Sequence, residues 1–442
     1  MDRRSFIKKI GLTGAGLIAA PYILPSQRLF AKTGTRKVNH VVFCLFAGGV
    51  RNFESMQKAE GNLMPNILSG NEGISSDIIG GMEILPPRSG LALQNYGTLF
   101  KEFRYGNGPT GHFNGHTSAM TGAYTSTELN IRERPSAPTI FEYYRKHNST
   151  SHSALNSWWI SDSLGAYPAL NYSKDSNYGP AYGANFLQPL SILNFNTNNF
   201  TFQGYAELAH PKEFNVSEKA SINKIKAHLD GFFAGKYNGI DGGITNTDFD
   251  RDRINTFINT ILTQANAGAY NNPYGLTASM NGDLYNMFIA EKVIQEFKPE
   301  LLVVNMQSID VGHTNFTEYC NNIRKADYAL ATLWNTIQST PGMANDTVLI
   351  VAPEIGRNLN PNSLMDSFGR YALDHTGDQT SREIFCLMLG PTGIIRQNQT
   401  ISSVAGESVD IVPTIADLLG FYDDIPLQYR QQMGRVLTEA YV

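Results

Sequence analysis

The chain of 442 residues has little cysteine, since only Cys44, Cys320 and Cys386 occur and no two of them form a C-x-x-C pair. This scarcity argues against a disulfide framework and against a cysteine-based zinc site. Charged residues are also few and nearly balanced, with 35 Lys and Arg against 39 Asp and Glu. The charge balance therefore implies no general affinity for nucleic acid. The length suffices for one large α/β domain or two medium ones.

The apolar run near the amino terminus is short. It extends from Ile10 to Leu24, is broken by Pro21, and falls below the roughly 20 residues that a membrane-spanning helix needs. Before it stands Asp2-Arg3-Arg4-Ser5-Phe6-Ile7-Lys8-Lys9, which looks like a twin-arginine export signal. Residues 1–31 are thus predicted to be a signal peptide cleaved after Ala31, with a membrane anchor as the alternative. The mature chain is expected in the periplasm or at the surface of a bacterium, touching the membrane only through an uncleaved signal.

Short apolar runs alternate with helical patterns in the mature chain, 32–442. The helical patterns cover 140–146, 316–337 and 409–419, and the runs predict buried strands at 41–46, 155–160, 301–307, 347–352 and 384–389. Strands that alternate with helices indicate a three-layer α/β/α fold, in which a mostly parallel sheet carries helices on both faces.

The middle of the chain has a different composition. Residues 167–214 are rich in Asn, Tyr, Gly and Pro and show little periodicity, whereas 217–233 and 249–267 have helical, amphipathic patterns. We interpret the range of about 165–298 as a loop-rich and helical insertion that caps the sheet within the same domain.

Polar residues gather where two predicted strands end. The strand at 301–307 leads into Asp310 and His313, and the strand at 347–352 leads into Glu354 and Arg357; Asp374-His375 follows about twenty residues later. In open α/β sheets, ligands bind outside the carboxyl ends of the strands. Carboxylate and imidazole groups are the ligands of a zinc or manganese site.

Several short segments together resemble one protein family. The resemblance is to the alkaline phosphatase and sulfatase superfamily, and within it to a branch of uncharacterised, exported, sulfatase-like proteins, the DUF1501 family. The segments are Phe43-Cys44-Leu45-Phe46-Ala47-Gly48-Gly49, Gly111-His112-Phe113-Asn114, the stretch from Asp310 to Phe316, Glu354-Ile355-Gly356-Arg357, and Val409-Asp410-Ile411-Val412-Pro413-Thr414, which resembles the start of the superfamily's last helix. The resemblance implies an alkaline-phosphatase-like α/β/α fold.

The resemblance also implies a reduced metal site. Active members bind two metals, and Asp310, His313 and His375 match the ligands of one of them. At the other site, Ala47 stands in place of an aspartate, while Glu354 and Ile355 replace an adjacent Asp-His. One divalent ion is therefore expected, with zinc favoured and manganese or calcium as alternatives.

The position of the family's nucleophile is altered as well. Counting back from Thr121-Gly122 gives His112 at that position, and Thr110 is the nearest hydroxyl. The chain has no Cys-x-Pro-x-Arg sequence, which excludes the formylglycine mechanism of sulfatases. His116, further along the same helix, is interpreted as structural.

Roles follow for the remaining site residues. Three protein ligands would leave one position open for water. His112 or Glu354 would then act as general base, or Glu354 would complete the coordination shell. Arg357, and with it Arg51, would hold an anionic substrate group. The alternatives are an Asp310 that only caps a helix, histidines that are ordinary buried polar groups, and a structural Glu354–Arg357 ion pair.

Two functions stay open from the sequence. The first is an exported, metal-dependent hydrolase of phosphate or sulfate esters, acting on an anionic ester or a carbohydrate. The second is a degenerate, non-catalytic member that serves as a binding or assembly component of the cell envelope. The losses at Ala47 and Ile355 favour the second function, whereas the presence of Asp310, His313 and His375 favours the first.

Overall fold

Eight strands hydrogen-bond into one sheet in the computed structural model, which describes residues 34–87, 89–127, 133–148, 155–161, 170–189 and 247–442. The strands are β1 His40–Phe46, β2 Gly97–Arg104, β3 Ser157–Ile160, β4 Asn185–Leu187, β5 Leu301–Met306, β6 Thr347–Pro353, β7 Glu383–Leu389 and β8 Gln399–Glu407. Their order across the sheet is β4-β3-β5-β1-β6-β7-β2-β8. Only β7 runs against its neighbours β6 and β2, so the predicted, mostly parallel sheet is confirmed.

The helices occupy the intervals between strands. They are α1 His112–Thr121, α2 Ile140–His147, α3 Asp248–Asn266, α4 Gly282–Phe297, α5 Phe316–Ser339, α6 Ile411–Leu418 and α7 Leu427–Arg430. Side chains cap four of these helices, α2 to α5. For example, Asn315 accepts from the Glu318 backbone N–H at the start of α5, and Thr139 forms a capping box with Glu142 at the start of α2. Within the part of the chain that is described, no helix is both long and apolar enough to cross a membrane.

Two adjacent tryptophans in β3 show that helices cover both faces of the sheet. The Trp158 ring stacks on Phe297 of α4 at 4.8 Å between centroids, and it meets Phe257 of α3 at 6.2 Å. The Trp159 ring lies 5.8 Å from Phe141 of α2. Since neighbouring side chains of a strand point to opposite faces, α3 and α4 lie on one side of the sheet and α2 lies on the other. The three-layer α/β/α prediction is confirmed.

Some elements differ from the sequence prediction. The structure confirms the five predicted strands and adds β2, β4 and β8; β8 is mostly exposed and β4 has only three residues, so neither shows a buried apolar run. Helix α4 was not predicted, and it packs directly against β5 and β3. Two elements of the predicted insertion at about 165–298 therefore belong to the main fold. β4 is a strand of the sheet, and α4 is part of the helical layer that covers it. Residues 1–31, 162–169 and 190–246, with the predicted signal and the predicted helix at 217–233, lie outside the described residues.

Three central strands bring the predicted site residues together. β1 lies between β5 and β6, and Phe46 at its end is in register with Met306 of β5 and Pro353 of β6. The segments that follow these strands therefore emerge at the same edge of the sheet. They include the Gly48-Gly49 turn, Glu354, and the 3₁₀ turn Ser308–His313 that carries Asp310.

Candidate metal centre

Four side chains present donor atoms to one point at this edge of the sheet. His112, Asp310, His313 and His375 each offer one ligand atom, and these atoms all lie within 4.8 Å of one another. The Asp310 Oδ1 atom lies 2.8 Å from His112 Nε2 and 3.2 Å from His313 Nε2. The Nε2 atoms of His112 and His375 are 2.9 Å apart. The structure thus brings together three of the four ligands predicted from the sequence, leaves out Glu354, and adds His112.

In each of the three histidines, the second ring nitrogen, Nδ1, contacts an oxygen acceptor of the protein, which fixes the orientation of the ring. The Nδ1 atoms of His112 and His313 lie 2.6 Å from Glu354 Oε1 and 2.7 Å from Asp374 Oδ1. His375 Nδ1 lies 2.5 Å from the carbonyl oxygen of Thr110. Because these oxygen atoms accept a hydrogen bond from Nδ1–H, each imidazole in its neutral form directs the lone pair of Nε2 toward the centre. Metal-ligating histidines in proteins are usually oriented by such partners.

The donor set fits a cation at the centre. Two imidazole lone pairs and a carboxylate oxygen at these distances repel one another unless a positive charge lies between them, and that charge is either a metal ion or, without one, a proton that His112 Nε2 donates to Asp310 Oδ1. Burial alone would lower the pKa of His112, but the carboxylates of Glu354 and Asp310 raise it to about 9. For Asp310, burial opposes ionisation, yet hydrogen bonds from His112 and His313 hold its pKa well below the usual range. Burial and the nearby His112 lower the pKa of His375 to about 3, so this imidazole is a neutral ligand.

Glu354 lies behind the centre and does not belong to the group of ligand atoms. Its side chain is fully buried and contacts both His112 and His116. Burial alone would raise the pKa of Glu354, but the imidazoles of His116 and His112 lower it to about 2. His116 Nε2 in turn accepts a hydrogen bond from Asn305 Nδ2 at 3.0 Å. The geometry gives Glu354 an orienting role, whereas the sequence analysis assigned it as a ligand or a general base.

Arg357 also differs from its predicted role. Its guanidinium is fully buried and donates from Nε to the Gly49 carbonyl at 3.1 Å, from Nη1 to the Leu373 carbonyl at 2.6 Å, and from Nη2 to Asp310 Oδ1 at 3.0 Å. Arg357 thus links three loops and holds Asp310, a candidate metal ligand, in position. The sequence analysis had instead assigned it to binding an anionic substrate group. The proposed Glu354–Arg357 ion pair is absent from the described contacts.

Arg51 is likewise occupied by protein groups. It pairs with the buried Glu54 and donates to the carbonyls of Asn358 and Leu359, each at 2.9 Å. Its expected contact with substrate has no support in this geometry.

Gly312 makes the position of Arg357 sensitive to one methyl group. A Cβ atom at residue 312 would lie 2.8 Å from the Arg357 Cζ atom. We expect Gly312→Ala to lower the free energy of unfolding by about 1–3 kcal/mol, because a buried guanidinium has little room to move. Gly393→Ala, where a Cβ would meet nothing within 4 Å, should stay within about 0.5 kcal/mol of the parent protein. Equal denaturation midpoints for the two variants would contradict this steric account.

The residues of a second metal site are missing. Ala47 and Ile355, which stand where relatives of the resembled family have ligands, are both fully buried. Across the described residues, a single group of three or more histidines, cysteines or acids is close enough to hold an ion. The number of metal ions that the protein binds stays a prediction.

Three groups that orient the ligands were given no orienting role from the sequence, although Asp374 was noted there as part of an Asp-His pair. They are Asp374, the carbonyl of Thr110, and Asn362, whose Nδ2 donates to the His313 carbonyl at 2.9 Å and to Asp374 Oδ1 at 3.1 Å. Asp374 had a signal, since it is adjacent to His375 in the sequence. A main-chain carbonyl and a distant amide carry no such signal.

Asp374 provides a direct test of these orienting contacts. Replacing Asp374 with alanine removes the acceptor of His313 Nδ1, and we expect metal affinity to fall by about 10–100-fold, as is typical when an outer partner is lost. Asp423→Ala, which removes an exposed ion pair with Arg430, is the matched control and should leave affinity unchanged. The measurement is a competition titration against a chromophoric chelator, and equal affinities for the two variants would contradict the assignment.

Comparison with known proteins gives only distant likenesses. The chain matches no profile of a known protein family, and no curated protein matches it. Similar solved structures include wild-type alkaline phosphatase PafA (TM-score 0.48, 12% identity, 93% of this chain and 100% of that chain). Others are the PsFucS1 sulfatase from Pseudoalteromonas sp. (0.46, 12%, 91% and 71%) and an alkaline phosphatase superfamily protein from Vibrio parahaemolyticus (0.44, 12%, 97% and 79%). Likeness at this level assigns no activity, so the role of the centre depends on its own geometry.

Proposed function

We propose that this chain is an alkaline phosphatase superfamily member of the sulfatase-like branch that binds one divalent metal ion and hydrolyses a phosphate or sulfate ester. The supporting observation is the convergence of Asp310 Oδ1 with the Nε2 atoms of three histidines, each of which has its Nδ1 on an acceptor. Three imidazoles and one carboxylate favour zinc. Calcium prefers oxygen ligands throughout, and manganese suits carboxylate-rich sites, so both are the weaker alternatives.

The surroundings of the centre suit an anionic substrate. The side chains of His313 and Asp310 are 32% and 24% exposed, so one side of the centre is open to solvent. The positive charge of Arg357 offsets the negative charge of Asp310. A divalent ion would add two positive charges at this open side, whereas the carboxylates of Glu354 and Asp374 lie behind the histidine rings, so the exposed cation could bind a phosphate or sulfate group.

The chain itself would supply ligand geometry and not a covalent nucleophile. Bound there, a zinc-like ion acts as a Lewis acid and lowers the pKa of water toward neutrality. Glu354 and Asp374 would hold His112 and His313 in the ligating tautomer. Since His112 occupies the position of the family's nucleophile and directs Nε2 into the centre, direct attack by water on the ester is the step that this arrangement supports.

One observation favours the alternative function. Four protein donors are enough to fill a tetrahedral zinc shell, and closed shells of this kind are typical of structural sites. If the shell is closed, the ion would stabilise a non-catalytic protein that serves as a binding or assembly component of the envelope. The proposal of export to the periplasm or cell surface depends only on the predicted signal at 1–31.

A metal analysis combined with an ester screen separates the two functions. The mature chain, 32–442, would be purified, assayed for metals, and tested on p-nitrophenyl phosphate, bis-p-nitrophenyl phosphate and p-nitrophenyl sulfate before and after chelation. About one zinc per chain with turnover that chelation removes and zinc restores supports the hydrolase. One zinc whose removal lowers the melting temperature, without turnover on any ester, supports the structural role. A protein that binds no metal and turns over no ester would refute the hydrolase and favour the degenerate, non-catalytic member.

A further inference from the structure

A groove of about 410 Å³ lies far from the metal centre. It is formed by the second half of α5 and by the chain that leads into β2. Its floor and walls include three aromatic rings and three amide side chains: Tyr96, Tyr328, Trp334, Asn66, Asn335 and Gln338. A volume in the range of 300–1,000 Å³ is typical of small-molecule sites.

The groove lies at the opposite edge of the sheet from the metal centre. Tyr96 immediately precedes β2, and Gly97 pairs with Leu389 at the end of the antiparallel strand β7. That end of the sheet corresponds to the beginnings of β1 and β6. Helix α5 connects the two regions, because it starts at Phe316 beside the metal-ligand turn and reaches Trp334 about 27 Å further along, at about 1.5 Å per residue. The groove is therefore separate from the candidate ester site.

The lining has no charged side chain among its described residues. Among its aromatic rings, Tyr96 is 37% exposed and supplies a flat apolar surface, while the buried Trp334 packs against it at 6.3 Å between centroids and an angle of 38°. Amide side chains supply both hydrogen-bond donors and acceptors. A ligand that fits this lining is uncharged, has flat apolar faces, and carries many hydroxyl groups at its edges.

Polar atoms in the groove have unused hydrogen-bonding capacity. Asn66 is only 9% exposed, and Asp327 fixes it by accepting from its Nδ2 at 2.7 Å and from its backbone N–H at 3.0 Å. The amide oxygen of Asn66 has no protein partner among the residues described, and neither do the Tyr96 hydroxyl and the Asn335 amide. The Asn66 amide is thus held in place with its oxygen accessible from the groove, where it can accept a hydrogen bond from a ligand hydroxyl.

We propose that this groove binds a neutral oligosaccharide. A pyranose face would stack on the exposed Tyr96 ring, and the hydroxyl groups would exchange hydrogen bonds with Asn66, Asn335 and Gln338. This inference goes beyond the proposed ester hydrolysis, since it concerns a second site that would hold the protein on a glycan while the metal centre acts elsewhere. A proline-rich peptide also stacks on aromatic rings, but it would leave the donors of the amide groups largely unpaired.

The test uses the mature chain, 32–442, and four neutral probes: cellopentaose, maltopentaose, laminaripentaose and chitopentaose. Saturation-transfer NMR would identify the binding probe, and calorimetry would measure its affinity. We expect at least one probe to bind, and a Tyr96→Ala, Asn335→Ala variant to bind it about tenfold more weakly or worse, because one stacked ring and one amide are lost. Both residues lie at the surface of the groove, so the variant should keep the melting temperature of the parent.

Tyr371→Ala is the matched control, since Tyr371 is a 47% exposed tyrosine outside the groove. It should leave the affinity unchanged. Binding of none of the probes at 5 mM (a concentration of about that order reveals even weak sugar binding), or binding that survives in the Tyr96→Ala, Asn335→Ala variant, would overturn the proposal. Binding of a polyproline decapeptide to the groove without binding of any sugar would also overturn it. The metal content of the groove variant should equal that of the parent, which separates this test from the test of the ester site.

Discussion

Replacing Asp310 and His375 together with alanine is expected to reduce bound metal from about one ion per chain to none. The change removes one carboxylate and one imidazole from the four candidate ligands. Two ligands would remain, and His112 and His313 alone cannot form a tetrahedral shell. The loss of affinity should exceed the 10–100-fold effect expected for an outer partner such as Asp374. Elemental analysis of the folded, dialysed protein measures the result, and any ester turnover should disappear with the metal.

Controls must separate ligand loss from unfolding. Asp310→Asn keeps an oxygen that can accept from Arg357 Nη2, so it should fold with near-parental stability while its neutral oxygen binds metal far more weakly. His40→Ala removes a histidine at the opposite end of β1, whose Nδ1 lies 2.9 Å from the Pro299 carbonyl oxygen, and it should keep its metal. If the double variant folds and still binds one zinc, the ion lies elsewhere and the proposed centre is wrong.

The sequence carried much of the information that positions this centre. Asp310, His313 and Glu354 follow continuous apolar runs, and such runs predict buried parallel strands whose carboxyl ends meet at one edge. The structure bears this out, because β5, β1 and β6 are neighbours in register. His375 was noted as part of an Asp-His pair about twenty residues after β6, and the resemblance then matched it to a ligand position.

The positions of the strand ends in the sequence could not show that His112, and not Glu354, faces the metal centre. Both residues lie at the same edge, so the choice of which one faces the centre depends on packing. Gly115 lets α1 approach closely, since a Cβ there would lie 2.8 Å from the Glu354 carbonyl oxygen. Glu354 is thereby buried beneath α1, next to His116, and His112 at the start of α1 is left at the centre. A close approach between two distant segments leaves no periodic signal in the sequence.

Arg357 illustrates a second limit. An arginine that directly follows a strand and a glycine is equally compatible with binding an anionic substrate and with a structural role. The carbonyls of Gly48 and Gly49 accept hydrogen bonds from the Arg357 guanidinium and so give it a structural role. The φ angles of these two glycines are +151° and +78°. Such positive φ values favour glycine, but the direction of a carbonyl group is a property of the folded turn. The antiparallel β7 is a similar case, because an apolar run does not show in which direction it pairs.

The second large effect is expected from replacing Glu354, and it concerns the free energy of unfolding. Glu354→Ala would leave the buried imidazoles of His112 and His116 without their shared carboxylate, and we expect the free energy of unfolding to fall by about 3–5 kcal/mol, as when one member of a buried ion pair is removed. Glu354→Gln keeps the volume and one acceptor oxygen. It should lose less stability, but its metal affinity should fall by about 10–100-fold because His112 Nδ1 loses a charged partner. Chemical denaturation and metal competition measure the two quantities.

Glu142→Gln separates an orienting role for Glu354 from a purely structural one. Glu142 is as fully buried as Glu354, but it accepts hydrogen bonds from Ser173 and Gly179 beside α2. Its replacement should lower stability and leave metal affinity unchanged, whereas Glu354→Gln should lower both. If Glu354→Gln destabilises the protein without weakening metal binding, Glu354 only fills a buried site. If it keeps metal and stability but loses turnover, Glu354 acts as the general base that its place after β6 first indicated, and the contact with His112 must then open during catalysis.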